Sequence, residues 1–287
     1  MKQAFLMMAH KNEEQTKRLI EWIADENHEI YVHIDQKSEG MFNELSHYFK
    51  ENPHVYFINQ RISVNWGGFS QVLAMVNLLK QTDGKKYDFY HLISGQDLLI
   101  KSKKEIDDFL NNHLGNQFLE FQRNEYYWRV NGYYLLIDCK YNRVRPIAKI
   151  NGYLEWMYKR FPIRRNSKGW DIYKGSQWFT LSGDCVKYIL HYLQKHPYYI
   201  RRFKHTMCAD EHFIQTLVLN SPFKETVIND TLREIQWDGG ANPKTYTTAD
   251  CDLLLKSSAL FARKFDATLD NEVIDWVYQR DVEKKRD

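Results

Sequence analysis

The run Met207-Cys208-Ala209-Asp210-Glu211-His212-Phe213 holds residue types from which a general base could be drawn. Phe213, Ile214, Leu217 and Val218 recur at helical spacing, so Asp210 reads as an N-cap with Glu211 and His212 in the first turn. A carboxylate fixed at the rigid start of a helix can take a proton from an attacking hydroxyl. Ordinary capping is the alternative reading of the same residues. Asp250-Cys251-Asp252 has the spacing of a metal-binding Asp-x-Asp, but Thr247 and Thr248 precede it and Leu253-Leu254-Leu255 follows, the pattern of a capped helical turn. No metal site is expected there. Cys139, Cys185, Cys208 and Cys251 are scattered without a Cys-x-x-Cys pair, which predicts free thiols.

An alternation of elements must position these groups. Residues 4–9, 29–34, 55–59 and 88–93 read as strands, and residues 13–24, 41–50 and 69–80 between them as helices. That order predicts an α/β fold with a mainly parallel central sheet flanked by helices, whose ligands sit at the carboxyl ends of the strands. Those ends are polar: His10-Lys11-Asn12, Asp35-Gln36-Lys37 and Ser94-Gly95-Gln96-Asp97. The glycine fingerprints of dinucleotide sites and P-loops are missing, so a nucleotide would be held in another way. Further along, residues 174–182 alternate like a strand, 183–195 read as a helix stopped by Pro197, 223–228 and 232–237 as strands, and 249–255 as the start of a helix. Residues 118–134 and 138–170 are aromatic and charged with no clean element, as in a substrate loop or a covering flap.

The chain has 287 residues, 43% hydrophobic and 15% aromatic, enough for a substantial core. Forty Lys and Arg against 37 Asp and Glu give +3, far from the excess of a dedicated nucleic-acid binder. The apolar start is too short for a signal or a membrane span, which predicts a cytoplasmic protein, with contact at the inner membrane face through the basic tail as a further option.

Several phrases in order resemble glycosyltransferase family 14, the core-2/I-branching β-1,6-N-acetylglucosaminyltransferases and the peptide O-xylosyltransferases. They are His10-Lys11, Tyr31-Val-His-Ile-Asp35, the region of Trp66, Leu92-Ile-Ser-Gly-Gln-Asp97, Gly175-Ser-Gln-Trp178-Phe-Thr-Leu-Ser182, Asp210-Glu211-His212, Leu232-Arg233 and Leu260-Phe-Ala-Arg-Lys264-Phe-Asp266. The resemblance implies one GT-A-like domain over residues 1–287, with a nucleotide-binding half (1–115) and an acceptor and catalytic half (116–287). It implies an inverting, metal-independent transfer from a UDP-sugar, best matched by β-linked N-acetylglucosamine, to a glycan or lipid-linked glycan in a bacterial setting. Glu211 matches the catalytic base, and Arg233 and Lys264 the pair that grips the diphosphate. His10, Asp35, Trp66 and Asp97 fall on the nucleoside and donor side, and Glu120, Arg129 and Trp178 on the acceptor side. The eukaryotic members' membrane anchor and paired cysteines have no counterpart in the sequence. UDP-xylose, UDP-galactose or UDP-glucose as donor, a noncatalytic glycan or nucleotide binder, and a glycoside hydrolase with two facing carboxylates are the competing readings.

Overall fold

The computed structural model describes residues 1–123, 127–240 and 242–284; residues 124–126, within the aromatic segment, and 285–287 of the basic tail lie outside it. Four parallel strands form its centre: β1 (Gln3–Ala9), β2 (His28–Ile34), β3 (Val55–Phe57) and, beyond α1 (Glu13–Ile23), α2 (Glu39–Tyr48) and α3 (Ser70–Gln81), β4 (Phe89–Ser94). β1 and β4 are buried on both faces, so their apolar residues run almost without interruption. Phe5 and Met7 of β1 point to one core with Leu19, Ile20 and Leu45, while Ala4 and Leu6 point to the other with Val72, Leu79 and Phe213. This two-residue alternation packs helices on each face of the sheet.

Next come β5 (Asp97–Leu99), α4 (Lys103–Asn111), β6 (Gln117–Leu119), β7 (Gln122–Arg123), α5 (Tyr127–Asn131), α6 (Arg145–Arg160), β8 (Tyr173–Lys174) and β9 (Phe179–Ser182). α7 (Gly183–Lys195) starts on Ser182, whose hydroxyl accepts from the Cys185 amide, and Pro197 opens α8 (Pro197–Phe203) as its N1 residue. The C-terminal part holds α9 (Phe213–Leu219), β10 (Val227–Ile228), β11 (Arg233–Ile235), α10 (Cys251–Lys256), β12 (Phe261–Arg263) and α11 (Glu272–Lys284).

The main sheet runs β10-β6-β9-β4-β1-β2-β3, with β9 antiparallel to both of its neighbours. A second sheet, β11-β12-β5, pairs Arg263 with Asp97 across antiparallel strands. The expected α/β class, with its mainly parallel sheet and flanking helices, is the one observed, and all four cysteines are free thiols.

Four local expectations need correction. Residues 118–134 and 138–170 are not without structure, since the described part of the first holds β6, β7 and α5 and α6 occupies Arg145–Arg160 of the second. The single strand expected at 174–182 is two short ones, because the chain passes against Glu120 at Gly175, where a Cβ would lie 1.8 Å from the Glu120 carbonyl oxygen. The strand expected at 223–228 shrinks to β10 behind a 3-10 turn at Lys224–Thr226. Asp210 does not cap a helix: Ala209–Glu211 form a 3-10 turn after Cys208, which is left-handed at φ 51°, and α9 begins only at Phe213.

Candidate active site

A cleft of about 1100 Å³ opens where the carboxyl ends of β1, β2 and β4 meet the second sheet. His10 follows β1, Asp35 follows β2 and Ser94 closes β4, so the cleft lies where ligands bind in open α/β sheets. Seven Lys or Arg against four Asp or Glu line it, a balance that suits an anionic ligand.

Glu211 sits in the 3-10 turn with its chain fixed from two directions. Its amide donates to the Cys208 carbonyl at 3.1 Å, and its own carbonyl accepts from the Gly175 amide at 2.8 Å. Arg129 (3.1 Å) and Lys174 (3.5 Å) both approach Oε2. No described residue hydrogen-bonds Oε1. The turn therefore holds a carboxylate at the cleft wall with one oxygen oriented by cations and the other open for a proton.

Its neighbours have other states. Burial and the adjacent Glu211 charge push the Asp210 carboxyl up to about 7, and its buried Oδ1 has no hydrogen-bond partner among the described residues. Burial drives His212 down to about 3. The neutral ring donates through Nδ1 to the Cys208 carbonyl at 3.1 Å, so His212 braces the turn and is no proton shuttle.

The second sheet and the chain just after it supply further cations. Arg233, from β11, is buried and donates Nη1 to the Thr231 carbonyl (2.5 Å) and Nη2 to the Leu92 carbonyl (2.6 Å). The open bidentate fork that a phosphate grip calls for is thus occupied by main chain; what remains is its charge and a buried Nε that has no partner among the described residues. Burial, only partly offset by Asp97, lowers its pKa to about 10, so it stays a cation at neutral pH.

Lys264 follows β12 and lines the cleft, and among the described residues it has no carboxylate partner within salt-bridge distance. Burial lowers its pKa, with Arg263 and Lys11 adding repulsion. An ammonium pressed among like charges is the arrangement an anion relieves. Lys11 is compensated by Asp266 (2.7 Å), Lys37 by Asp35 (3.5 Å) and Arg263 by Asp97 (2.6 Å).

The remaining residues predicted from sequence are not all in the cleft wall. His10, Asp35, Trp66, Glu120 and Trp178 line it. Asp35 spends its oxygens on the amides of Lys37 (2.8 Å) and Val64 (3.2 Å) and so shapes the loop after β2. The indole of Trp66 lies under the Arg143 guanidinium at 4.5 Å. Trp178 stands beside the two arginines, 4.4 Å from Arg263 and 6.0 Å from Arg233.

Asp97 is a correction: it is buried behind the wall, does not line the cleft, and accepts from the Ser94 amide, the Ser94 hydroxyl and Arg263. It does not cap α4 either, where Ser102 and Glu105 form the capping box. Arg129 reaches the site through Glu211. Lys174, Arg143 and Arg263 are site residues that the sequence did not single out; Arg263, beside Lys264, and Lys174, beside Gly175, adjoin motif residues, whereas Arg143 carries no such signal.

Asp250 of the Asp-x-Asp is taken up by a capping box with Thr247 and by Lys244 at 2.6 Å, as the surrounding sequence predicts. Among the described residues no three His, Cys, Asp or Glu side chains converge as a metal cage would require.

Comparison with known proteins places the chain in a family. A family model for the Core-2/I-branching enzyme matches residues 3–256. The chain belongs to that family. Xylosyltransferase 2 of Rattus norvegicus is 24% identical over 294 residues, covering 95% of this chain and 33% of that protein. Xylosyltransferase 1 of Homo sapiens is also 24% identical, with 94% and 29% covered. The chain thus spans about a third of the length of these relatives. Among solved structures, mouse xyloside xylosyltransferase 1 in its apo form aligns over 91% of this chain and 97% of its own, at 12% identity and a TM-score of 0.40. No described helix is long and apolar enough to cross a membrane.

Proposed function

We propose that the chain transfers a sugar, with inversion and without a divalent metal, from a UDP-sugar to a hydroxyl of a glycan or lipid-linked glycan. The carrying observation is that Glu211 and the uncompensated Lys264 line one cleft. The acceptor oxygen attacks the anomeric carbon as the bond from that carbon to the UDP oxygen breaks. Its proton passes to Glu211, at the oxygen that no described residue occupies, and the electron pair leaves with UDP.

Lys264, with the fixed charges of Arg233 and Arg263 behind it, meets the negative charge that develops on the diphosphate. Such cations do at the leaving group what a metal does elsewhere. His10, Asp35 and Trp66 bound the side of the cleft assigned to the nucleoside, and Glu120 the side assigned to the acceptor. N-acetylglucosamine is the first donor to test, and the xylosyltransferase relatives add xylose as the second.

The test is UDP release and mass analysis of the product over a panel of UDP-N-acetylglucosamine, UDP-xylose, UDP-galactose and UDP-glucose in excess EDTA. Turnover with one donor is expected. A strict requirement for added Mn²⁺ or Mg²⁺ would refute the metal-free reading, and failure to bind UDP would revive the glycan-binding and hydrolase readings.

A further inference from the structure

Outside the cleft the surface is strongly uneven. Residues 133–163 carry ten of the seventeen large apolar side chains that stand exposed among the described residues. The same part of the chain is the most basic: residues 133–168 hold nine Lys or Arg against two Asp or Glu, a charge of +7 in a chain whose total is +3, so the remainder is −4. α6 organises this patch. Its inner side buries Asn151 and Tyr158. Ile150, Tyr153 and Trp156, three residues apart and on one outer stripe, are 46%, 62% and 57% exposed. The rings of Tyr153 and Trp156 stack with centroids 5.8 Å apart. Exposed Lys149, Lys159 and Arg160 flank the stripe, and Phe161, 59% exposed, continues it.

A cluster this apolar on a protein surface marks an interaction site, and its charge discriminates between partners. A second copy would bring one +7 face against another, which repels. Exposed Leu135, Leu136, Ile150 and Ile163 have nothing to stack on in a nucleic acid, but fit an acyl boundary. Tyr and Trp rings with Lys and Arg beside them are the composition of helices that lie in an anionic membrane interface.

We propose that this face docks on an anionic lipid surface, with Ile150, Tyr153, Trp156 and Phe161 entering the interfacial layer and Lys149, Lys159, Arg160 and Arg164 meeting headgroup phosphates. The patch reaches the rim of the cleft, since Arg143, one residue before the N-cap of α6, also lines it. The docking does not depend on which donor the cleft takes.

Co-sedimentation of the full chain with phosphatidylglycerol/phosphatidylcholine vesicles, against phosphatidylcholine alone, tests it. Binding to the anionic vesicles only, weakening as salt is raised, is expected. Tyr153→Ser/Trp156→Ser should weaken it. Lys149→Glu/Arg160→Glu should lower partitioning more than about 100-fold, since each unit of charge near the surface is worth about fivefold. All four side chains are exposed, so unfolding temperature should be unchanged; if the Glu pair unfolds, Lys149→Gln/Arg160→Gln, which removes two units of charge, should lower partitioning about 25-fold in the same assay. No sedimentation with anionic vesicles, or sedimentation that the double variants retain, overturns the assignment. A dimer in solution that Trp156→Ser dissociates also overturns it, by giving the face to a second copy.

Discussion

Replacing Asp97 by Asn separates a positioning role from a ligand-contacting one. The side chain is 2% exposed. One carboxylate oxygen accepts from Arg263 at 2.6 Å and from the Ser94 hydroxyl, and the other from the Ser94 amide at 3.0 Å. An Asn can satisfy Arg263 with its oxygen, but then its amide faces the Ser94 N–H, donor against donor. The variant loses a charge-assisted bond, about 1.5–3 kcal/mol, and leaves a buried amide unpaired, about 1–3 kcal/mol. A net loss of about 3 kcal/mol corresponds to a fall in Tm of about 6 °C for a domain of this size. Thermal unfolding of Asp97→Asn, Arg263→Met and the double variant gives the coupling, which should exceed about 1 kcal/mol. Calorimetry with UDP should show affinity within about threefold of wild type, since Asp97 does not line the cleft. An unchanged Tm together with a tenfold or greater loss of UDP affinity would refute this reasoning and return Asp97 to the donor contacts.

Lys264→Ala removes a cleft cation that, among the described residues, has no carboxylate or carbonyl partner, and should weaken UDP binding about 10- to 100-fold in calorimetry with little change in Tm. Asp210→Asn should act through pH. Because the folded carboxyl is raised to about 7, wild-type Asp210 favours the folded state only while protonated, and that contribution is lost as pH rises from about 4 to 7. The Asn variant should therefore melt higher than wild type at pH 8, by no more than a few kcal/mol, with the difference shrinking below pH 7 and gone near pH 4. Gly175→Ala pushes a methyl into the Glu120 carbonyl and should cost about 1–3 kcal/mol in denaturant unfolding, while displacing Lys174 and the Gly175 amide that holds the Glu211 carbonyl.

The sheet was legible because its central strands are buried on both faces and its first helices have an apolar side, so period and burial agree in residues 1–94. The cleft followed from the topology, as polar residues after β1, β2 and β4 have nowhere else to converge. α6 was hard to see because Ile150, Tyr153 and Trp156 on its outer side are as apolar as Leu154, Met157 and Tyr158 on its inner side, so apolar residues run round the helix without one clear stripe. The turn at Cys208 hid the real start of α9, since helical spacing after Asp210 says nothing about a left-handed residue before it. Arg263 and Asp97 lie 166 positions apart and meet only through the register of β12 on β5, a pairing that local pattern cannot express. Arg233 was recognised as a cation, but the main-chain carbonyls that occupy its fork belong to residues placed by tertiary packing.

The central claim is that Glu211 takes the acceptor proton. Glu211→Gln keeps size and hydrogen-bonding reach while removing the base, so in the UDP-release assay, with whichever donor of the panel the wild type turns over, its turnover should fall by about 10² to 10⁴ while the Kd for UDP stays unchanged. Wild-type turnover in Glu211→Gln would contradict the account.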